Sequence, residues 1–326
     1  MEKFTHIEQF RHLIERVQYA NDNVLNNFDR ICQMDFTGTV KLHGTNAAIC
    51  RKNSIISYQS RNSILTIEND HYNFAKTINE IPESQLNSLF DLISTNVNDK
   101  IIIYGEFIGK GIQSNVAISQ LDHRQFVIFA IKINNKYKKL TLNIKLPEYK
   151  IYNILQAEQF HVTIDFEDLK SSQLQLEKFV TYVENECPWA KLFNISGTGE
   201  GIVWTADFDS SNSSYYFKTK GTKHKISKTK KQIIEIEPEI QKSIDDFILY
   251  AVSKPRLLQG IEFFKEQHID INIKNIGQFL KWILIDIKKE ELDVVKASNL
   301  EWKVLNKYIT IEAKKFYFQY IGVNYH

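Results

Sequence analysis

The chain has 326 residues, 43% of them hydrophobic and 25% charged, and its 41 basic and 39 acidic side chains leave a net charge of +2. That length favours two domains over a single core, and the composition excludes a disordered or fibrous protein. A balance this close to neutral says nothing about nucleic acid, so only a local cluster of charge can point to it.

The first twenty residues, MEKFTHIEQFRHLIERVQYA, carry charge throughout and lack the apolar stretch of a signal peptide. Within residues 1–30, Phe10, Leu13, Ile14 and Val17 share one face of an amphipathic helix. From about residue 36 to 220 the texture changes to short β-rich runs: GTVKL, AAICRK, SIISYQ, KIIIYGEFI, QFVIFAIKI, GIVWTA and SYYFKTK. Val, Ile, Phe and Tyr dominate these runs, and Gly, Asn, Asp and Ser bound them. Helical patches interrupt the series, notably one where Leu174, Leu176, Phe179, Val180 and Val183 share a face.

After about residue 235 the strands stop. Pro238 suits the first turn of a helix, where its missing N–H costs least. Ile276, Phe279, Leu280, Ile283, Leu284 and Ile287 then recur at helical spacing, as do Trp302, Leu305, Ile309, Ala313, Phe316 and Tyr320. The reading is an α+β domain over 1–234 followed by an all-helical domain over 235–326. Cys32, Cys50 and Cys187 have neither metal-ligand spacing nor even pairing, which fits thiols in a reducing compartment. The apolar run WILIDI is short and broken by Asp286, so no membrane span is expected and the protein reads as soluble and intracellular.

Five segments place chemistry at strand ends. TGTVKLHGTNAAI sets Lys41 three residues before Gly44, and SYQSRNSI sets Arg61 just past a strand. IYGEFIGKG ends an apolar strand on Glu106, and GTGEGIVW starts one on Glu200 among glycines. YYFKTKG puts Lys218 and Lys220 two apart, on one face of a strand. Taken singly each has an ordinary explanation, such as a solvated turn or the wet face of an edge strand.

Their order carries more. Lysine, arginine, glutamate, glutamate and a lysine pair, each at a strand edge, resembles the ordered set of the covalent nucleotidyltransferases, the polynucleotide ligases and messenger RNA capping enzymes. Their nucleophile motif stands here as Lys41-Leu42-His43-Gly44. The histidine, and Thr45-Asn46 after the glycine, make residues 36–225 similar to the RNA ligase 2 family of ATP-dependent RNA ligases. The segment FVIFAIKI resembles the family strand that sets an aromatic ring against the nucleobase, with Phe129 chosen over Phe126. The family often has aspartate after that ring, where this chain has Ala130.

The resemblance implies a nucleotidyltransferase domain, with ATP-grasp-like antiparallel sheets and flanking helices, ahead of the helical domain. It implies Lys41 as the nucleophile that takes AMP from ATP, with Lys218 and Lys220 at the transferring phosphate. His43, Gly44, Asn46, Arg61, Glu106, Phe129 and Glu200 are expected at the nucleotide, with Glu106 on the ribose and Glu200, helped by Glu106, on Mg²⁺ or Mn²⁺. His43 reads equally as a packed turn residue. AMP would then pass to a 5′-phosphate on RNA, and a 3′-hydroxyl would displace it, sealing a strand, in nicked duplexes above all. The chemistry is demanding, because a lysine attacks phosphorus only as a free amine while the ordinary ammonium titrates near 10.4. Desolvation and neighbouring positive charge are what favour the amine.

From Lys218 onward, KTKGTKHKISKTKK holds seven lysines in fourteen residues. Beyond the pocket pair, Lys223, Lys225, Lys228, Lys230 and Lys231 read as a surface that tracks RNA phosphates without reading sequence. The helical domain matches the family's C-terminal domain in size and type, and a monomer is expected. The alternatives are a DNA ligase or guanylyltransferase of the same superfamily, or a non-catalytic RNA-binding protein on this scaffold.

Overall fold

The computed structural model describes residues 1–22, 30–70, 72–206, 215–221, 238–298 and 300–322. The chain divides into two compact units, Met1–Lys223 and His224–His326. The lysines 223, 225, 228, 230 and 231 of the basic segment lie outside the described residues.

The first unit is α+β. In chain order it contains β1 (Glu8–Gln9), α1 (Phe10–Asp22), β2 (Gln33–Lys41), β3 (Thr45–Lys52), β4 (Ile55–Ser60), β5 (Ile64–Leu65), α2 (Phe74–Asn79) and α3 (Glu83–Asp91). There follow β6 (Ile101–Ile108), β7 (Gln125–Ile133), β8 (Lys136–Lys138), β9 (Ile151–Asn153), β10 (Phe160–Asp165), α4 (Leu169–Asn185), α5 (Pro188–Lys191), β11 (Gly201–Ala206) and β12 (Tyr216–Lys220). A five-stranded sheet runs β1-β12-β11-β2-β10, and a second runs β5-β4-β3-β6-β7-β8 with β9 beside β7. The pairs are antiparallel except β1 with β12 and β7 with β9.

Alternation along β2 sorts its faces. Met34, Phe36 and Val40 go into the core, while Gln33, Asp35, Thr37, Thr39 and Lys41 take the opposite face. Ile202, Trp204 and Phe217 complete that core from β11 and β12, and Leu13 and Val17 of α1 with Leu176, Val180 and Val183 of α4 cover it. The second sheet buries Ile49, Ile101, Ile103, Phe126 and Ile128 under Phe74, Ile78, Leu86, Leu89 and Phe90 of α2 and α3. Each sheet thus has helices on one face; the other face is polar along β2 of the first sheet, and on the second it carries a smaller cluster of Ala48, Ile102, Tyr104, Ala130 and Tyr137.

Helix α4 departs from its sequence reading at one position. Leu174 is exposed, and Ser172 takes the inward place instead. Positions 172, 176, 180 and 183 follow the 3.6-residue period, whereas 174 falls on the far side. The inward hydroxyl is satisfied, because Ser172 Oγ accepts the Asp165 N–H at 2.9 Å.

The second unit contains α6 (Pro238–Ala251), α7 (Lys254–Glu266), α8 (Ile276–Ala297) and α9 (Trp302–Tyr320). Pro238 is the first residue of α6, as its position in the sequence indicates. Phe279, Ile283 and Ile287 of α8 meet Leu305, Ile309, Ala313 and Tyr317 of α9 in one core. Arg256 is completely buried there, held by Glu291 at 2.8 Å, Asp286 at 3.0 Å and the carbonyl of Ala251. No helix among the described residues is long and apolar enough to cross a membrane.

Candidate active site

The register of the five-stranded sheet assembles the site. Lys41, the last residue of β2, lies opposite Gly201, which in turn lies opposite Lys220. One row further along, Thr39, Val203 and Lys218 face one another. Directly paired residues share a face, so Lys41, Lys218 and Lys220 all stand on the face of the sheet away from its core. The residue before Gly201 is Glu200, buried at 2% exposure, and Lys41 and Lys220 converge on it.

Lys41 Nζ donates to Glu200 Oε2 at 2.6 Å, and Lys220 Nζ lies 3.0 Å from Oε1. His43 Nδ1 is 3.4 Å from Oε2. Burial alone would push the Glu200 carboxyl up, but the charges of Lys41, Lys220 and His43 outweigh it and hold the group well below the ordinary carboxylate range. His43 is therefore a direct neighbour of the buried carboxylate, in addition to its place in the turn.

Glu106 arrives from the second sheet. It sits opposite Asn46 in the β3–β6 ladder, on the same face. Its Oε1 accepts the Gly44 N–H at 3.0 Å, which ties the turn after Lys41 to β6. Burial raises the Glu106 carboxyl to about 7; the charge of Lys41 opposes the rise and that of Glu200 adds to it. The two carboxyl groups thus hold different protonation states near neutral pH: Glu200 is ionised and Glu106 is balanced between acid and anion.

Two glycines are required by close approach. A Cβ on Gly44 would lie 2.3 Å from the carbonyl oxygen of Phe107 and 2.6 Å from Ile108. Gly44 therefore serves contact between the Lys41 turn and β6. A Cβ on Gly201 would lie 2.1 Å from the carbonyl of Thr219, and its φ of +153° falls in the region that favours glycine.

The β6–β7 ladder accounts for Phe129. Tyr104 pairs with Ala130 and Gly105 with Ile128, so Phe129 is the extra residue of a bulge. Phe126 is fully buried beside Phe74 in the helix-covered core, whereas Phe129 is partly exposed and belongs with the opposite face. The bulge puts both Phe129 and Ala130 on that face. Arg61, just past β4, donates to His6 Nδ1 at 3.1 Å, and its charge reaches Glu106.

The structure thus gathers Lys41, His43, Gly44, Glu106, Glu200 and Lys220 in one cluster, with Asn46 beside Glu106. Lys218 lies on the same face one row away. The sequence reading missed the first residues of the chain. Phe4 packs on Phe129 at 4.9 Å and on Tyr104 at 5.3 Å, and Glu2 forms ion pairs with Lys100 and Lys132. The signal was present as a period of two in Glu2, Phe4 and His6, the spacing that puts residues on one side where a chain runs extended.

A family model described as RNA ligase matches residues 34–233, more than half of the chain. The chain belongs to the RNA ligase family. The match spans β2 through β12, and with them every residue of the cluster. Among solved structures, a Naegleria gruberi RNA ligase with AMP and Mn, and another with ATP and Mn, are each 18% identical. Each alignment covers 69% of this chain and 57% of that chain, with a TM-score of 0.43. A third structure of the N. gruberi RNA ligase, with PPi, aligns at the same identity, coverage and score. This chain therefore spans little more than half of that enzyme's length. A search of curated proteins finds no match.

Proposed function

We propose that this protein is an ATP-dependent RNA ligase that joins a 3′-hydroxyl to a 5′-phosphate through an adenylate on Lys41. The observation that carries the reading is the cluster of Lys41, His43 and Lys220 around Glu200, with Glu106 opposite. It presents one amine beside a second cation, next to two buried carboxyl groups.

Lys41 attacks the α-phosphate of ATP as a free amine, forming a phosphorus–nitrogen bond while pyrophosphate leaves. In the structure the amine is held by Glu200, so its release accompanies arrival of the nucleotide. Lys220, with Lys218 one row behind, is placed to offset charge on the transferring phosphoryl group, the kind of electrostatic stabilisation that dominates such transfers. A 5′-phosphate oxygen then takes the AMP from Lys41, and a 3′-hydroxyl displaces it. Dividing one condensation into these displacements is covalent catalysis. Glu106 would take the ribose hydroxyls, Asn46 and Arg61 the sugar and phosphates, and Phe129 the base.

A divalent cation fits the donor set. Among the described residues no group of three or more His, Cys, Asp or Glu side chains is placed to hold a metal ion. The two carboxylates suit Mg²⁺ or Mn²⁺ shared with substrate phosphates, because Mg²⁺ takes one or two carboxylates and keeps phosphate and water oxygens. Bound at Glu200, helped by Glu106, it would offset charge on the phosphates and on the leaving pyrophosphate.

We assign residues 1–234 to adenylyl transfer and 235–326 to RNA recognition. Lys223, Lys225, Lys228, Lys230 and Lys231 would track the backbone, and the enzyme would work as an intracellular monomer. The test is sealing of a nicked RNA duplex carrying a labelled 5′-phosphate, with single-stranded RNA and nicked DNA alongside. Joining of RNA that requires ATP and Lys41 supports the proposal. Joining of DNA alone, or labelling by GTP in place of ATP, overturns it.

A further inference from the structure

The chain's first residues are built into the face of the second sheet that carries Glu106 and Phe129. Glu2 binds with its backbone as well as its side chain. Its N–H donates to Gln59 Oε1 at 3.1 Å, while its carbonyl accepts from Gln59 Nε2 at 2.7 Å and from the Tyr104 hydroxyl at 3.0 Å. Its carboxylate pairs with Lys100 at 2.7 Å and Lys132 at 2.6 Å. Gln59 and Tyr104 are buried, so this anchoring is part of the folded structure.

Phe4 follows on the same side. Its ring lies 4.9 Å from Phe129, 5.3 Å from Tyr104 and 5.7 Å from Tyr137, all on the second sheet. It also lies 6.4 Å from Tyr216 at the start of β12, two residues before Lys218. Thr5 N–H bonds the Tyr137 hydroxyl at 3.3 Å, and His6 accepts from Arg61. Glu8 and Gln9 then pair with β12 at Phe217 and Lys218. One segment thus touches two of the proposed nucleotide residues, Phe129 and Arg61, pairs with Lys218, and links the two sheets.

We propose that residues Glu2–His6 form a preassembled wall of the nucleotide cleft, in which Phe4 is a positioning residue for Phe129. This rests on the adenylyl-transfer reading above. Phe129 sits on a bulge, where the regular neighbours of a ladder are lost, so its ring needs another contact to hold it. The edge-to-face pair with Phe4 supplies one. Holding the ring in its base-stacking orientation before ATP arrives lowers the ordering cost of binding. The lysine chemistry takes place at a separate cluster, so Phe4 acts on binding of ATP and leaves the transfer step alone.

The test is the rate of adenylate formation against ATP concentration for wild type, F4A, F4Y, F129A and F4A/F129A, with thermal melts of each. F4A is expected to raise KM about fivefold, the range of one aromatic pair, with kcat within about twofold. F4Y is expected to restore most of the affinity. F129A and the double variant are expected to share one KM, because Phe4 acts only through Phe129. The proposal is overturned by an unchanged KM in folded F4A, by a lower KM, which would make the ring a plug, or by additive effects in the double variant. If F4A fails to fold, F4L serves the same comparison. A wild type that binds ATP but forms no adenylate sinks the adenylyl reading, and calorimetric ATP affinity of the same variants then decides the role of Phe4.

Discussion

Lys41 Nζ rests 2.6 Å from Glu200 Oε2, although the two residues are 159 positions apart in the chain. Pairing of Lys41 with Gly201 brings them together, so the backbone ladder sets the distance between the proposed nucleophile and its carboxylate. Glu200 also faces Lys220 and His43, which puts this carboxylate at the centre of the cluster.

Replacing Glu200 by glutamine keeps the shape and removes the charge. Breaking a buried ion pair by removing one partner costs about 3–5 kcal/mol, because the other charges stay behind. E200Q is therefore expected to melt at lower temperature and to form adenylate about 100-fold more slowly or worse. Denaturant titration and labelling with radioactive ATP check the two effects separately. Labelling at the wild-type rate would remove Glu200 from the chemistry.

The two carboxyl groups give pH effects of opposite sign. Glu106 titrates near 7 in the folded protein against an ordinary 4.5, so between these values the unfolded chain has lost a proton that the folded chain keeps. The protonated folded state thus loses relative stability as pH rises from 4.5 to 7, with no further change above. E106Q is expected to flatten that slope, by about 3 kcal/mol at most. Glu200 is lowered, so its stabilisation is present above the ordinary carboxyl value and lost as pH falls through the folded one. Urea melts of wild type and E106Q across this range provide the measurement; parallel curves would contradict the assignment.

Much of this was legible in the sequence. The strands over QFVIFAIKI and GIVWTA form as read, because β-branched and aromatic residues dominate both. The Lys218/Lys220 spacing correctly placed both on one face, since a strand has a period of two. Pairing partners were not legible: nothing in the order of residues says that Gly201 stands between Lys41 and Lys220. The purpose of Gly44 was also hidden. Its sequence context suggests freedom of the turn, while the structure shows that the Phe107 carbonyl leaves no space for a Cβ. Ser172 shows a third limit, where a helical period outranked hydrophobicity.

Gly44→Ala tests that close approach. The added carbon meets backbone and β6 must shift, so a destabilisation of about 1–3 kcal/mol is expected, as for overpacking in a core. The shift also loosens the Gly44 bond to Glu106, and adenylate formation is expected to fall with it. Thermal melting combined with the labelling assay separates strain from chemistry. A G44A protein equal to wild type in both would show that the turn has room to relax.

In the helical unit, Arg256 is completely buried between Glu291 and Asp286. R256A leaves the Glu291 carboxylate without this partner and opens a cavity, for an expected loss of about 3–5 kcal/mol. R256M, which fills the volume, still leaves that charge and is expected to rescue little, whereas R256M/E291L is expected to recover much of the loss. Melting temperatures of the three proteins check the order; full recovery by R256M alone would mean that packing, and not charge, is what Arg256 supplies.

The most direct measurement is the intact mass of the purified protein before and after incubation with ATP and Mg²⁺, with peptide mapping of any adduct. The expected result is one added AMP, on Lys41, labile to acid and absent from K41A. A folded protein that gains no adduct from ATP, or gains it on another residue, would contradict the assignment of Lys41 as the nucleophile.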